Sequence, residues 1–219
     1  MARNKYPEET IKKILDVSFQ LFQEKGYDHT TIQDITDALG MSKGAVYHHF
    51  KSKEDILDKL TDTYYDSINW FEDLLTAPDL TGLQKLKKIL ALQLSDPRKL
   101  EVDNLTMTLT KNPRLLALTV NCSIHDAAPM VTQLLEEGIR DGSIQVAYTT
   151  ELAEVLMLIL NIWVGVFTAG REDFIRKIKF IQAFTDAMGL PLIDDDLYAT
   201  ALSYFDEIMT KALKNTYPE

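Results

Sequence analysis

Residues 31–50 read TIQDITDALGMSKGAVYHHF, and the reading of the whole chain turns on them. Thr31 followed three positions later by Asp34 is a T-x-x-D capping box, in which a hydroxyl and a carboxylate satisfy free amides at a helix start. Ile32, Ile35 and Leu39 follow at helical spacing, and Gly40 ends the run. Only Met41 intervenes before Ser42, an N-cap residue that opens a second helix reaching about Phe50. Two helices joined by a short glycine-containing turn form a helix-turn-helix. At 100° per residue, Val46, His49 and Phe50 fall on one side of the second helix, while Lys43, Gly44, Tyr47 and His48 fall on the other. The first side is mostly apolar and suits a core. The second is cationic, small and aromatic-polar, a surface suited to phosphates and base edges.

The pattern extends in both directions. Between Pro7 and Lys25 the apolar residues Ile11, Ile14, Leu15, Phe19 and Phe22 share one helical face. Gly26 suits a left-handed helix end, with Tyr27 placed to close back onto Phe22. On the other side Ser52 and Asp55 form a further box, starting a long fourth helix expected to reach about Leu75, before Pro78. The turn at Leu39-Gly40-Met41-Ser42, the aromatic run Tyr47-His48-His49-Phe50 and the start Lys51-Ser52-Lys53-Glu54-Asp55-Ile56-Leu57 together resemble the DNA-binding head of the TetR family of bacterial transcription regulators. The resemblance reaches back through Leu21-Phe22 and Gly26-Tyr27 and covers about the first quarter of the chain. It implies phosphate contacts for Thr31 and Ser42, base-edge contacts for Lys43, Gly44 and Tyr47, and backbone-phosphate contacts for His48 and Lys53. It further implies a homodimer on a palindromic double-stranded operator, released by a small-molecule effector bound in the larger, C-terminal part.

Composition restricts the alternatives. The chain has 219 residues, 46% of them hydrophobic, and a formal charge of −10. Such an acid excess argues against nucleic acid unless it is segregated. Residues 1–60 are nearly balanced, with nine basic and ten acidic side chains, whereas residues 61–219 carry fourteen and twenty-three. The acidic part can therefore face away from a polyanion. Cys122 is the single cysteine, which excludes an internal disulfide and a cysteine zinc site. No uncharged apolar run approaches the roughly 18–20 residues of a membrane span, and no signal peptide is visible, so a cytoplasmic protein without membrane contact is expected.

Beyond Pro78, breaks fall at Asp96-Pro97, Asn112-Pro113, Gly142, Gly170 and Gly189-Leu190-Pro191, with a kink expected at Pro129. The expected fold is all-α: an N-terminal three-helix helix-turn-helix head (1–52), joined by the long helix to a helical effector-binding and dimerisation bundle (53–219). The stretch from Val155 to Phe167 is apolar all round and must be covered on both sides. A partner subunit is the expected second cover, with Val164 and Gly165 at the contact. Leu197, Ala201, Tyr204, Phe205 and Ile208 of the last helix would complete the dimer face. Candidate effector contacts are the polar groups Asn121, His125 and Asn161, with Trp70, Met107, Met157 and Trp163 as adaptable lining. Asp194 to Asp196 suit a helix N-terminus.

No Ser-His-Asp arrangement, metal-ligand spacing or phosphate-cradling glycine loop is visible, so no enzyme activity, metal or cofactor is expected. Rival readings are a regulator of the same fold that activates or takes no effector, and a helical ligand-binding protein or enzyme whose head serves protein contacts.

Overall fold

The computed structural model describes residues 7–66, 69–106 and 113–216, and the regular elements among them are all helical. The head comprises α1 (Pro7–Lys25), α2 (Ile32–Leu39) and α3 (Lys43–Tyr47). It is followed by α4 (Lys53–Asp66), α5 (Asn69–Leu75), α6 (Gly82–Ser95) and α7 (Pro97–Thr106). Then come α8 (Pro113–Cys122), α9 (Ala128–Asp141), α10 (Thr149–Leu158), α11 (Arg171–Ala187) and α12 (Asp195–Thr216).

The head follows its local signals. The Thr31 hydroxyl accepts from the Asp34 amide, the Asp34 carboxylate accepts from the Thr31 amide, and Gly40 closes α2 at φ +63°. Ile14, Leu15, Phe22, Tyr27, Ile35, Val46 and Phe50 form its core, and the Phe22 and Tyr27 rings meet edge-on at 5.0 Å. Ile56 and Leu57 from α4 belong to the same core, so the packed head extends past the boundary expected at residue 52. Leu118 of α8 and Val166 pack against it from the larger part. The fourth helix is described as α4 and α5, and residues 67–68, where the expected continuity would lie, are outside the described residues.

Two π-helical turns interrupt the larger bundle. One, Ser123–Ala127, joins α8 to α9, directly before Pro129. A proline ring in a helix collides with the carbonyl four residues back, here His125. Widening that turn, so that the Ala128 amide bonds the Ser123 carbonyl, accommodates the ring without ending the helix. The kink expected at Pro129 is thus a π turn just upstream. The other, Ile159–Val164, continues α10. Asn161 Nδ2 donates to Ser123 Oγ at 3.0 Å and ties the two turns together.

The bundle places the last helix differently from the expectation. Leu197, Ala201 and Phe205 are buried within the same chain, where Ala201 and Phe205 share a core with Val164, Phe174, Ile178 and Ile181. Phe205 stacks on Phe174 at 4.4 Å. Tyr204 donates its hydroxyl hydrogen to the Asp103 carboxylate of α7, and Ile208 is half-buried. The apolar stripe of α12 is therefore taken up by its own bundle, and so is Val164. Gly165 is exposed, and a Cβ there would lie 2.5 Å from the Asn161 carbonyl, so the glycine accommodates the π turn rather than a subunit contact. Asp194 accepts from the Leu197 amide at 2.9 Å and so caps α12, as expected of that acidic trio.

Candidate nucleic-acid interface

Five residues make up α3, and its sides differ sharply. Val46 is fully buried, whereas Lys43, Gly44, Tyr47 and His48 are exposed, Tyr47 to 47%. A Cβ added at Gly44 would meet nothing within 4 Å. The glycine is therefore not required by packing within the chain. Its bare backbone opens a path of close approach on the outward side.

The two expected capping residues differ in what they have left to offer. Ser42 Oγ accepts from the Ala45 amide at 3.3 Å, and an accepting hydroxyl keeps its own hydrogen. The first turn of α3 holds no acid. Thr31 is committed elsewhere: its hydroxyl lies 2.5 Å from Asp34 Oδ2, and a carboxylate can only accept, so the Thr31 hydrogen points to Asp34. Lys25 adds an ion pair to the same carboxylate at 2.8 Å. The Thr31 hydroxyl is thus engaged within the chain, unlike that of Ser42. Lys25, the Thr31 hydroxyl and the Thr31 amide hold the Asp34 carboxyl well below the usual carboxylate range.

A carboxylate lowered by folding contributes stability that is fully present above its unfolded value, about 3.9, and lost as pH falls through the folded value. Asp34→Ala should therefore lower the melting temperature at pH 7. The difference from wild type should narrow only as the pH drops below about 4, as followed by circular dichroism.

Lys53 also turns inward. Its ammonium donates to the Tyr27 carbonyl at 2.5 Å and the Thr30 carbonyl at 2.9 Å, and sits 4.1 Å from the centre of the Tyr27 ring. Burial pulls its pKa below the ordinary lysine value, opposed by Glu54 and Asp28. The free phosphate-holding lysine expected at this position is engaged within the chain.

The effector residues expected in the larger part have varied surroundings. Asn121 is exposed and donates back to Ala117 O at 2.9 Å, and His125 is exposed. Met157 packs on the core around Leu152 and Leu156, while Asn161 pairs with Ser123. Trp163 lies on the outside, edge-on to Phe180 at 5.5 Å. Met107 and the side chain of Trp70 lie outside the described residues.

Of that outer surface, the stretch from Val155 to Phe167 was expected to meet a partner, whereas Phe180 was not read from the sequence. Val155, Trp163, Phe167 and Phe180 are 42%, 37%, 53% and 53% exposed, and Phe180 stacks on Phe184. The available signal was in α11: Phe174, Ile178, Ile181 and Thr185 fill its inward stripe, leaving an aromatic at 180 off that stripe. Beneath the patch, buried Lys177 donates to the Trp163 and Phe167 carbonyls, each at 2.7 Å, which joins the π turn to α11.

Comparison with known proteins agrees with this geometry. Residues 14–60 match the family model of bacterial regulatory proteins of the tetR family. The repressor KstR2 of Rhodococcus jostii is 29% identical over 161 residues, 74% of this chain and 65% of its own length. The uncharacterized regulator YerO of Bacillus subtilis is 38% identical over 105 residues, 46% of this chain and 35% of its own. The negative regulator of the biofilm operon icaADBC, IcaR, from Staphylococcus epidermidis is 40% identical over 63 residues, 29% of this chain and 32% of its own. The chain thus spans less than two thirds of the length of these relatives. Among solved structures, Salmonella enterica GusR superposes with a TM-score of 0.58 at 19% identity, covering 95% of this chain and all of that one. A TetR/AcrR regulator from Thermobifida fusca gives 0.55 at 23% identity, covering 83% and 97%. These two likenesses concern the fold, and the matched segment is the one that turns Lys43, Gly44 and Tyr47 outward: residues 14–60 are a head of the kind that the tetR family of bacterial regulatory proteins carries.

Proposed function

We propose that this chain is a sequence-specific DNA-binding transcriptional repressor, located in the cytoplasm, that acts as a homodimer. Its two α3 helices enter successive major grooves of a palindromic operator, about 34 Å apart. The carrying observation is the outward face of α3, where Lys43, Gly44, Tyr47 and His48 are all exposed beside a serine with a spare hydroxyl hydrogen. The subunit contact is assigned to the patch of Val155, Trp163, Phe167 and Phe180 in place of α12. A small molecule bound in the larger part shifts the heads out of register with the grooves and so releases the operator.

The test is a mobility shift with DNA from upstream of the chain's own gene. Sequence-selective, salt-sensitive binding is expected, and its absence sinks the reading. Tyr47→Ala and Lys43→Ala, both at base edges, should each cost about 1–3 kcal/mol of operator binding and alter base preference at the position contacted. Gly44→Ala separates function from folding. An alanine in a helix is favoured over glycine by about 0.5–1 kcal/mol, so the head should become more stable while operator binding weakens.

A further inference from the structure

We propose that Lys53 is a positioning residue for DNA recognition, acting as a clasp that fixes the α1–α2 turn onto the first turn of α4. The inference rests on the regulator reading above and deepens it.

An ammonium group has three hydrogens and no acceptor. Those of Lys53 face the Tyr27 carbonyl, the Thr30 carbonyl and the Tyr27 ring, all within the chain. The two carbonyls belong to the segment between Gly26 and Thr31, where α1 has ended and α2 has not begun; the Thr30 amide also lies 3.3 Å from the Tyr27 carbonyl, so Lys53 adds a charged donor to a turn that is already closed by a main-chain bond. Neighbouring groups there are already paired: the Thr30 hydroxyl is within bonding distance of Leu21 O and Gly26 O, at 3.1 and 2.9 Å. Thr30 directly precedes the N-cap of α2, and α2 carries α3 through the turn at Gly40. Lys53 opens α4, whose Ile56 and Leu57 lie in the head core. One side chain therefore spans 26 and 23 positions of sequence to join the start of α4 to the segment that sets the start of α2. Hydrophobic packing between the same elements resists separation but is non-directional. Two charge-assisted hydrogen bonds add direction, which is what a recognition surface needs to meet DNA at a defined angle.

A phosphate contact and a clasp make opposite forecasts. Losing a contact to one phosphate lowers the slope of log affinity against log salt by about 0.9. Losing a clasp weakens binding at every salt concentration and leaves that slope intact. Lys53→Met keeps the apolar stem and removes the donors, and Lys53→Arg keeps donors that can reach both carbonyls. Operator affinity would be measured for the three proteins across a salt series. Amide exchange of residues 26–31 would be measured in the free proteins.

Lys53→Met is expected to lose about tenfold in affinity at an unchanged salt slope, with at least tenfold faster exchange in the 26–31 turn. Lys53→Arg should recover most of both. A slope shallower by about 0.9, an affinity equal to wild type in Lys53→Met, or unchanged exchange in the turn overturns the clasp. A wild-type chain that binds no operator would instead overturn the regulator reading. The two failures are told apart because the exchange measurement needs no DNA.

Discussion

Phe180→Glu is expected to yield a folded monomer whose operator affinity falls by at least a hundredfold. Isolated exposed apolar residues are ordinary, but a contiguous aromatic patch is characteristic of a surface that meets a partner. Trp163 and Phe180 touch edge-on and Phe180 stacks on Phe184; Val155 of α10 and Phe167, in the turn after the π segment, are exposed as well. In a two-fold dimer each substitution is present twice and the same patch serves both sides. A carboxylate at its centre would be buried without a partner, at a cost of about 3–5 kcal/mol, which is more than a hundredfold in the dimer constant. Because Phe180 is half-exposed within its own subunit, the bundle itself should remain folded.

Val164→Arg supplies the contrast. Val164 packs on Phe174, Ile178 and Ile181 inside the chain, so an arginine there should unfold the larger part rather than dissociate it. Sedimentation together with circular dichroism distinguishes the two. A Phe180→Glu protein that stays dimeric at micromolar concentration would move the interface elsewhere.

The head was legible because its instructions are local. Thr31 and Asp34 are three positions apart, Ser42 and Ala45 likewise, and Gly40 stops a helix wherever the rest of the chain lies. The larger part was legible as helices but not as surfaces. An apolar stripe such as Leu197, Ala201 and Phe205 states that one face of α12 is buried, and the same stripe would serve a neighbouring helix or a second subunit. Only the tertiary arrangement, which brings Phe174 against Phe205, decides between them. The stretch from Val155 to Phe167 was expected to meet its own core on one side and a partner subunit on the other, but which residues face which way was not legible: Leu156 is buried, whereas Val155, Trp163 and Phe167 face out.

Three lysines engage carbonyls inside the chain. Nothing local in the sequence reveals that Lys53, expected at a phosphate, or Lys85 and Lys177 would turn inward. Lys85 reaches Leu75 O at 2.8 Å and Glu137 at 2.6 Å, much as Lys177 reaches Trp163 and Phe167 and as Lys53 reaches Tyr27 and Thr30. In each case an ammonium takes up at least one main-chain carbonyl at or just beyond a helix end.

Gly82→Ala should strongly destabilise the larger part, although it adds only one methyl group. A Cβ at Gly82 would lie 2.3 Å from Gly138 N and 2.4 Å from Leu134 O, where α6 crosses α9. Both are backbone atoms, so relief requires the two helices to separate. Separation would also loosen the Gly82 amide from Asp141, 2.7 Å away, and Lys85 from Glu137. Overpacking a core commonly costs about 1–3 kcal/mol, and a rigid backbone obstacle places this site at the upper end, near 3. At about 2–4 °C per kcal/mol for a chain of this size, the midpoint should fall by roughly 6–12 °C. Gly138 faces the same crossing but provides an internal control. A Cβ there meets only side-chain atoms, Cδ1 and Cγ1 of buried Ile144 at 2.4 and 2.7 Å, and a rotamer change relieves those more readily than a backbone shift. Gly138→Ala should therefore cost less, about 1–2 kcal/mol. Thermal unfolding of the two variants side by side tests the ranking, and a Gly82→Ala midpoint within about 2 °C of wild type would mean that α6 and α9 do not approach this closely.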